Sequence, residues 1–552
     1  MYKSKETSRL AWVLPAVAMV FAMVVVAVSL PADQTDADSP TSGTCGDGVA
    51  WSFDSSTSTL SVTYTGSGTG RMVDIDDPNK SEYAYLWKSI DNIVIGEGVT
   101  YVGRCAFDAF EAKSITLSST VVELGGNCFE QNNETSLDLK NVVTIGKQAF
   151  NKNEKLTSVV IPFTVKTIGD YAFDQCHSLA SVDTSGATSL EKIGRSAFVE
   201  SLISSFYVPA TVTSLGTGIF VGCSSLTTID IDDDNANYID VDGVVYTPDM
   251  KTVFMYPPAR ACESYVIPDT VTTIAESAFC SGYKIGAITI PDTITAIPDY
   301  AFQRCTALKT IKIPNTVTSI GGYSFTSCEN VESIDFSGTT VLKSIGNGAF
   351  MDMAKLKTVE IPACVTFVGE RVFAFCNELE SISIDPSNQY YVTVDGILYD
   401  KKMETLMQFP AASKITDFTV PSTVKMVNVN SFTNLKYLAS LTFPDSVTTI
   451  GDGTTTSSYG QSPLLKISFG NGLTEFTGPD PFVDHYFLDE NGNKMKQTVH
   501  NLKGHTFVGT DIHHMYIDDT PRDEGFPVWA IVVVVIVALV AVVGVVMWKR
   551  SR

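Results

Sequence analysis

The chain has 552 residues, 18% of them charged, and its 38 basic and 61 acidic residues give a formal net charge of −23. A polyanion is repelled by such a surface, so nucleic acid is not an expected partner. Length sets no domain count by itself, but abundant Ser, Thr, Gly and Val suit many short strands joined by turns.

In chain order, the first expected element is residues 1–30. Its apolar part, 10–30, carries no charge and follows Lys3, Lys5 and Arg9. A basic start before an apolar stretch is the pattern of a secretory signal, while the length also suffices to span a bilayer. Cleaved signal peptide and uncleaved signal-anchor both fit. At the other end, residues 526–548 form a second uncharged run, followed by Lys549, Arg550 and Arg552. That is the pattern of a transmembrane helix with a stop-transfer cluster, leaving 549–552 as a cytoplasmic tail. Both basic flanks belong inside, so the expected location is the cell membrane, with residues 31–525 extracellular.

Internal repetition dominates what lies between. Leu156-Thr-Ser-Val159-Val-Ile161-Pro162, Leu308-Lys-Thr-Ile311-Lys-Ile313-Pro314 and Leu356-Lys-Thr-Val359-Glu-Ile361-Pro362 share the form L-x-x-[VI]-x-I-P. Each leads to a Phe, and such residues recur at 107, 129, 150, 173, 198, 220, 279, 302, 325, 350, 373 and 432. Most gaps are 21 to 25 residues, the period of leucine-rich repeats. Apolar side chains two apart point to one face of a strand, and the Pro ends it because it cannot donate to a ladder. The Gly of each I-G is read as a backbone corner, and the Phe as interior filling. One coil cannot bury its apolar face alone, whereas stacked coils can. Twelve coils at strand spacing make a rod of roughly 60 Å.

Residues 45–100 are expected to form an N-terminal β cap and 101–450 the solenoid. Two gaps of 59 residues interrupt its rhythm. They hold related inserts at about 232–258 and 385–411, with Asp242-Gly243 and Asp395-Gly396 between apolar strand-formers, a β-hairpin signal. The inserts lie 153 residues apart, an offset that also relates Phe220 to Phe373 and Pro209 to Pro362; a shift of 152 relates Asp183 to Asp335. Duplication of a block of about six coils and one insert accounts for this. Residues 451–462 read as a Ser/Thr/Gly linker. Residues 464–517 read as a separate C-terminal β module.

The pattern L-x-x-[IV]-x-I-P-x-x-V-x-x-I-G-x-x-A-F with its D-G-[VI]-[VL]-Y inserts resembles the BspA-like leucine-rich repeat surface proteins, over about residues 100–450. The stretch from Thr44-Cys45-Gly46-Asp47 to Trp51, with Gly66 to Gly70 and Trp87, is similar to the small module that precedes those repeats. The resemblance implies a right-handed solenoid, surface display and, for some members, adhesion.

No catalytic constellation, cofactor motif or metal-ligand spacing is found. Cys176, Cys223, Cys305, Cys328 and Cys376 share the slot three residues after the repeat Phe, whose equivalents include Phe110, Asn132, Ser201 and Gly282. That variety marks packing, and buried free thiols are expected, although Cys305 and Cys328 lie in adjacent coils within bridging reach. Five of the six histidines, at 485, 500, 505, 513 and 514, match no zinc pattern. Asp230 to Asp234 lack the Gly and Glu of a calcium loop. The candidate binding face is the set of outward strand positions, above all Asp183, Asp230, Lys312, Asp335 and Glu360. The expected function is binding of an extracellular or host-surface protein or glycan, with adhesion as the outcome. Self-association into an envelope structure is the alternative.

Overall fold

Each repeat folds as one turn of a β-solenoid in the computed structural model, which describes residues 40–518 apart from 78, 80, 457–462, 484, 490 and 510–513. Residues 10–30 and 526–548 lie outside this range, and among the described residues no helix is long and apolar enough to cross a membrane.

A turn contains two short strands. The L-x-x-[VI]-x-I segment gives the first, as in Ser158–Val160, and the segment before the I-G glycine gives the second, as in Thr167–Ile168. Each stacks in parallel on its counterparts in adjacent turns: Val159 pairs with Leu137 and Val182, and Ile168 with Ile145 and Ile193. Two ladders therefore run along the rod. The third side carries no strands before Phe432–Thr433 and is built around the repeat Phe. The residues two before and two after it are left-handed, such as Cys105 (φ 53°) and Ala109 (φ 60°) around Phe107. That conformation costs a side-chain-bearing residue about 1–2 kcal/mol. Its return is alignment: the N–H groups of Cys105, Phe107 and Ala109 all donate to the next turn, to Gly126, Cys128 and Glu130 carbonyls at 2.9 Å.

The interior is a column of rings. Phe107, Phe129, Phe150, Phe173, Phe198 and Phe220 stack at centroid separations of 5.3 to 5.8 Å. A second column runs from Phe279 to Phe373 at 5.0 to 5.9 Å. The expected twelve turns become about 16. Tyr256 and Phe409 take the place of the repeat Phe in two of the further turns, Tyr256 tilted against Phe279 and Phe409 stacked on Phe432.

The inserts are hairpins. Ile239–Val241 pairs antiparallel with Val244–Tyr246, and Tyr391–Val394 with Ile397–Asp400. Both residues of each Asp-Gly turn have positive φ (52° and 77°; 51° and 78°), the mirror-image turn that matches strand twist. Each hairpin also divides the core. Val245 and Met255 belong to the first apolar cluster, while Val244, Tyr246 and Val253 belong to the second. Leu398 closes the second and Ile397 and Tyr399 open the third. Alternation along a strand gives one wall two apolar faces.

Strands Ser42–Asp47, Val49–Asp54 and Thr59–Tyr64 close the N-terminal end as an antiparallel sheet whose edges continue into the two ladders. Trp51 packs edge-on against Tyr83, which stacks on Phe107 and so heads the ring column.

Two expectations change. Residues 451–456 are not linker: Thr455–Thr456 pairs in parallel with Phe432–Thr433, and Lys466–Phe469 with Ser440–Phe443. The stack thus runs beyond 450, to Glu475–Phe476 in one ladder and, in the other, through Thr506–Gly509, antiparallel on Lys466–Phe469, to His514–Ile517 and Tyr486–Leu488. Ser/Thr/Gly composition hid this, because a turn of the coil needs the same residues as a linker. The I-G glycines, moreover, do not have positive φ. They are required for space, since a Cβ on Gly146 would lie 2.5 Å from the Leu124 carbonyl oxygen of the neighbouring turn.

Candidate binding surface

Outward positions of the first ladder alternate with buried ones, so the side chains between the core residues face solvent. Asp183, Asp230, Lys312, Asp335 and Glu360 are all exposed, on strands Ser181–Asp183, Thr228–Ile231, Thr310–Lys312, Ser333–Asp335 and Thr358–Ile361. Lys312 is in register with Asp335 on the paired strands. Asp335 and Glu360 line one groove. Asp183 and Asp230 do not join in the same way, because Tyr207 stands between them, in register with Asp230.

The groove arises at a seam. Among the breaks in the first ladder, two stand at equivalent places, between Ser181–Asp183 and Ser205–Val208 and between Ser333–Asp335 and Thr358–Ile361. Both interruptions follow the two 25-residue repeats, in which Ser185-Gly186 and Ser337-Gly338 replace the usual Pro after the strand. In each loop the preceding aspartate is the cap: Asp183 Oδ1 accepts from Ser185 N (2.9 Å), and Asp335 Oδ1 from Ser337 N (2.8 Å). These bonds hold both carboxyls below the usual range, with the Ser side chain the larger cause.

At the first seam, Thr184 Oγ1 donates to the Tyr207 carbonyl at 2.5 Å and the Tyr207 hydroxyl donates to Asp232. The second seam has Phe336 in place of Thr184 and Glu360 in place of Tyr207. Without the ring a groove of about 660 Å³ remains, with Phe336, Pro362, Ala363 and Cys364 as its apolar lining and Asp335, Glu360 and Asp385 as carboxylates. The sequence reading missed Asp385, Tyr207 and the seam itself. The signal was present in the Ser-Gly loops and their 152-residue offset.

A smaller cleft of about 270 Å³ opens on the strandless side, between Asp174, Arg195, Glu200 and Tyr300. There the left-handed positions around Phe220 are Gly218 and Gly222, whereas the second block has Arg371 and Phe375. Asp174 is 9% exposed, and its Oδ1 meets no hydrogen-bond partner. Burial, with Glu200 adding repulsion, raises its pKa to about 6.

All eleven cysteines are free thiols. The shared slot does more than pack: Cys176 Sγ donates to the Phe150 carbonyl (3.2 Å), as Cys376 does to Phe350 (3.3 Å) and Asn132 Nδ2 to Phe107 (2.9 Å). A small donor there caps a buried carbonyl, which explains why Cys and Asn interchange. Burial pushes the Cys176 and Cys376 thiols up to about 12, so they are poor nucleophiles.

Solved structures similar in shape include bacterial leucine-rich repeat proteins. A leucine-rich cell surface protein from Faecalibacterium prausnitzii is 22% identical, with a TM-score of 0.47 over 74% of this chain and 95% of its own. The pneumococcal vaccine antigen PcpA is 18% identical, with a TM-score of 0.45 over 72% and 93%. A leucine-rich repeat protein from Eubacterium ventriosum is 21% identical, with a TM-score of 0.39 over 79% and 93%. No curated protein matches the sequence. The family model for the BspA type leucine-rich repeat region matches residues 80–185, 143–260, 250–380 and 407–522. The chain belongs to the BspA-type leucine-rich repeat family.

Proposed function

We propose that the chain is a cell-surface binding scaffold, anchored in the membrane by residues 526–548 and adhesive toward an extracellular or host-surface protein or glycan. The observation that carries this reading is the outward ladder, where each turn presents exposed polar or charged side chains at one strand spacing from the next. Such a surface makes many weak contacts in parallel, and their effective concentration turns modest affinities into firm attachment. Membership of a family of surface repeat proteins supports it, as do the basic clusters flanking both apolar runs. Binding, not catalysis, is the role assigned.

Two measurements on intact cells and full-length protein test the proposal. Protease added outside should remove residues 40–518 while leaving a C-terminal tag protected. Purified full-length protein in detergent should bind saturably to cell-surface protein or glycan. Protection of the repeats from protease, or purely linear uptake with self-assembly instead, would contradict it.

A further inference from the structure

The open seam has features that the filled one lacks. Asp335 and Glu360 lie on the strands Ser333–Asp335 and Thr358–Ile361, and Asp385 directly follows the strand of the next turn, Ser381–Ile384. Asp335 and Asp385 each spend one oxygen on a local cap: Oδ1 accepts from Ser337 N and, for Asp385, from Ser387 N (2.9 Å) and Oγ (2.7 Å). Glu360 caps nothing. Lys312 is in register with Asp335 on the paired strand and helps hold its carboxyl low. Below the carboxylates, Thr339 lines the groove, is 7% exposed, and has an Oγ1 without a hydrogen-bond partner. Its counterpart 152 residues earlier is Ala187, so an unsatisfied hydroxyl accompanies the open groove only. A buried polar atom left unmatched is destabilising until something bonds to it.

We propose that this groove seats a basic segment of a partner protein, with arginine or lysine side chains between Asp335, Glu360 and Asp385 and their aliphatic stems against Phe336 and Pro362. The inference rests on the binding role above and gives it a place and a partner chemistry. Arginine and lysine suit such a site because each carries an apolar stem and a charged head. A single metal ion suits it less: among the described residues, no three His, Cys, Asp or Glu side chains gather closely enough to hold one. Carboxylates on three successive turns, with Asp385 two residues beyond the Glu360 register, match basic groups spaced along a chain.

The test uses full-length protein in detergent and a fluorescein-labelled peptide of alternating arginine and glycine, followed by fluorescence anisotropy at physiological salt. Saturable binding is expected. Asp335→Asn with Asp385→Asn should weaken it by about tenfold or more. Asp232→Asn with Asp249→Asn removes equal charge and two local caps away from the groove, and should change affinity by less than about twofold. Equal losses in the two pairs, no saturable binding, or displacement of the peptide by calcium would each overturn the proposal. If the peptide is ignored while the intact protein still binds cell surfaces, the groove assignment falls alone. If both bindings fail, the binding role falls with it.

Discussion

The two blocks of the solenoid share a backbone plan and differ in where they leave space. At their first-ladder seams the earlier block places Tyr207, bonded to Asp232, and the later block places Glu360. On the strandless side the pattern reverses: the earlier block has Gly218 and Gly222 beside a cleft, and the later block has Arg371 and Phe375. Duplication thus preserved the core and let the surface diverge. Function in such a rod is to be sought at positions where the copies disagree, because agreement reports packing.

The largest effect should show the copies behaving alike. Phe173 and Phe325, 152 residues apart, are both fully buried and stacked on both sides. Phe173→Ala and Phe325→Ala should each cost about 3–5 kcal/mol in urea unfolding. Two losses that differ by more than about 2 kcal/mol would mean that the blocks are not equivalent inside.

A smaller effect should separate them. Tyr207→Ala removes a half-buried ring and the hydroxyl's hydrogen bond to Asp232, and should cost about 1–2 kcal/mol. Glu360→Ala removes an exposed side chain and should change stability by less than about 0.5 kcal/mol. Equal losses would show that the second seam is filled in solution.

The smallest effect concerns pH. Asp174 has its pKa raised to about 6 by burial, against an ordinary 3.8, and its equivalent Thr326 instead donates to the Gly348 carbonyl at 2.6 Å. A carboxyl that holds its proton more tightly when folded stabilises fully below 3.8, and that contribution is lost as pH rises through about 6. Asp174→Thr should therefore raise Tm at pH 7.5 and leave it unchanged near pH 4. Asp108, likewise raised to about 6 by burial, keeps some of this pH dependence in the variant. A lower Tm at neutral pH would show that Asp174 is paired.

Much of this fold was legible because its signals are periodic. The strand alternation in L-x-x-V-x-I, the Phe column and the Asp-Gly hairpins each follow from local chemistry. What escaped depends on contacts between turns. Gly146 is small because the neighbouring backbone is near, not because of its own φ. The hairpins serve as walls, which one strand cannot reveal until both of its faces have partners. Thr455 joins the stack although its neighbours read as a linker. Of the binding face, exposure of Asp335 and Glu360 followed from alternation. Their shared groove did not, since it depends on the ring absent at Glu360 and on Asp385 of a further turn.

The most direct test exchanges the residues that distinguish the seams. Calorimetric titration of the full-length protein with the arginine–glycine peptide should show loss of binding in Glu360→Tyr, which closes the second seam. Tyr207→Glu, which opens the first, should add a second and weaker site, weaker because Ala187 offers no hydroxyl there. Unchanged binding in Glu360→Tyr, with no new site in Tyr207→Glu, would contradict the claim that this open seam is where the rod holds its partner.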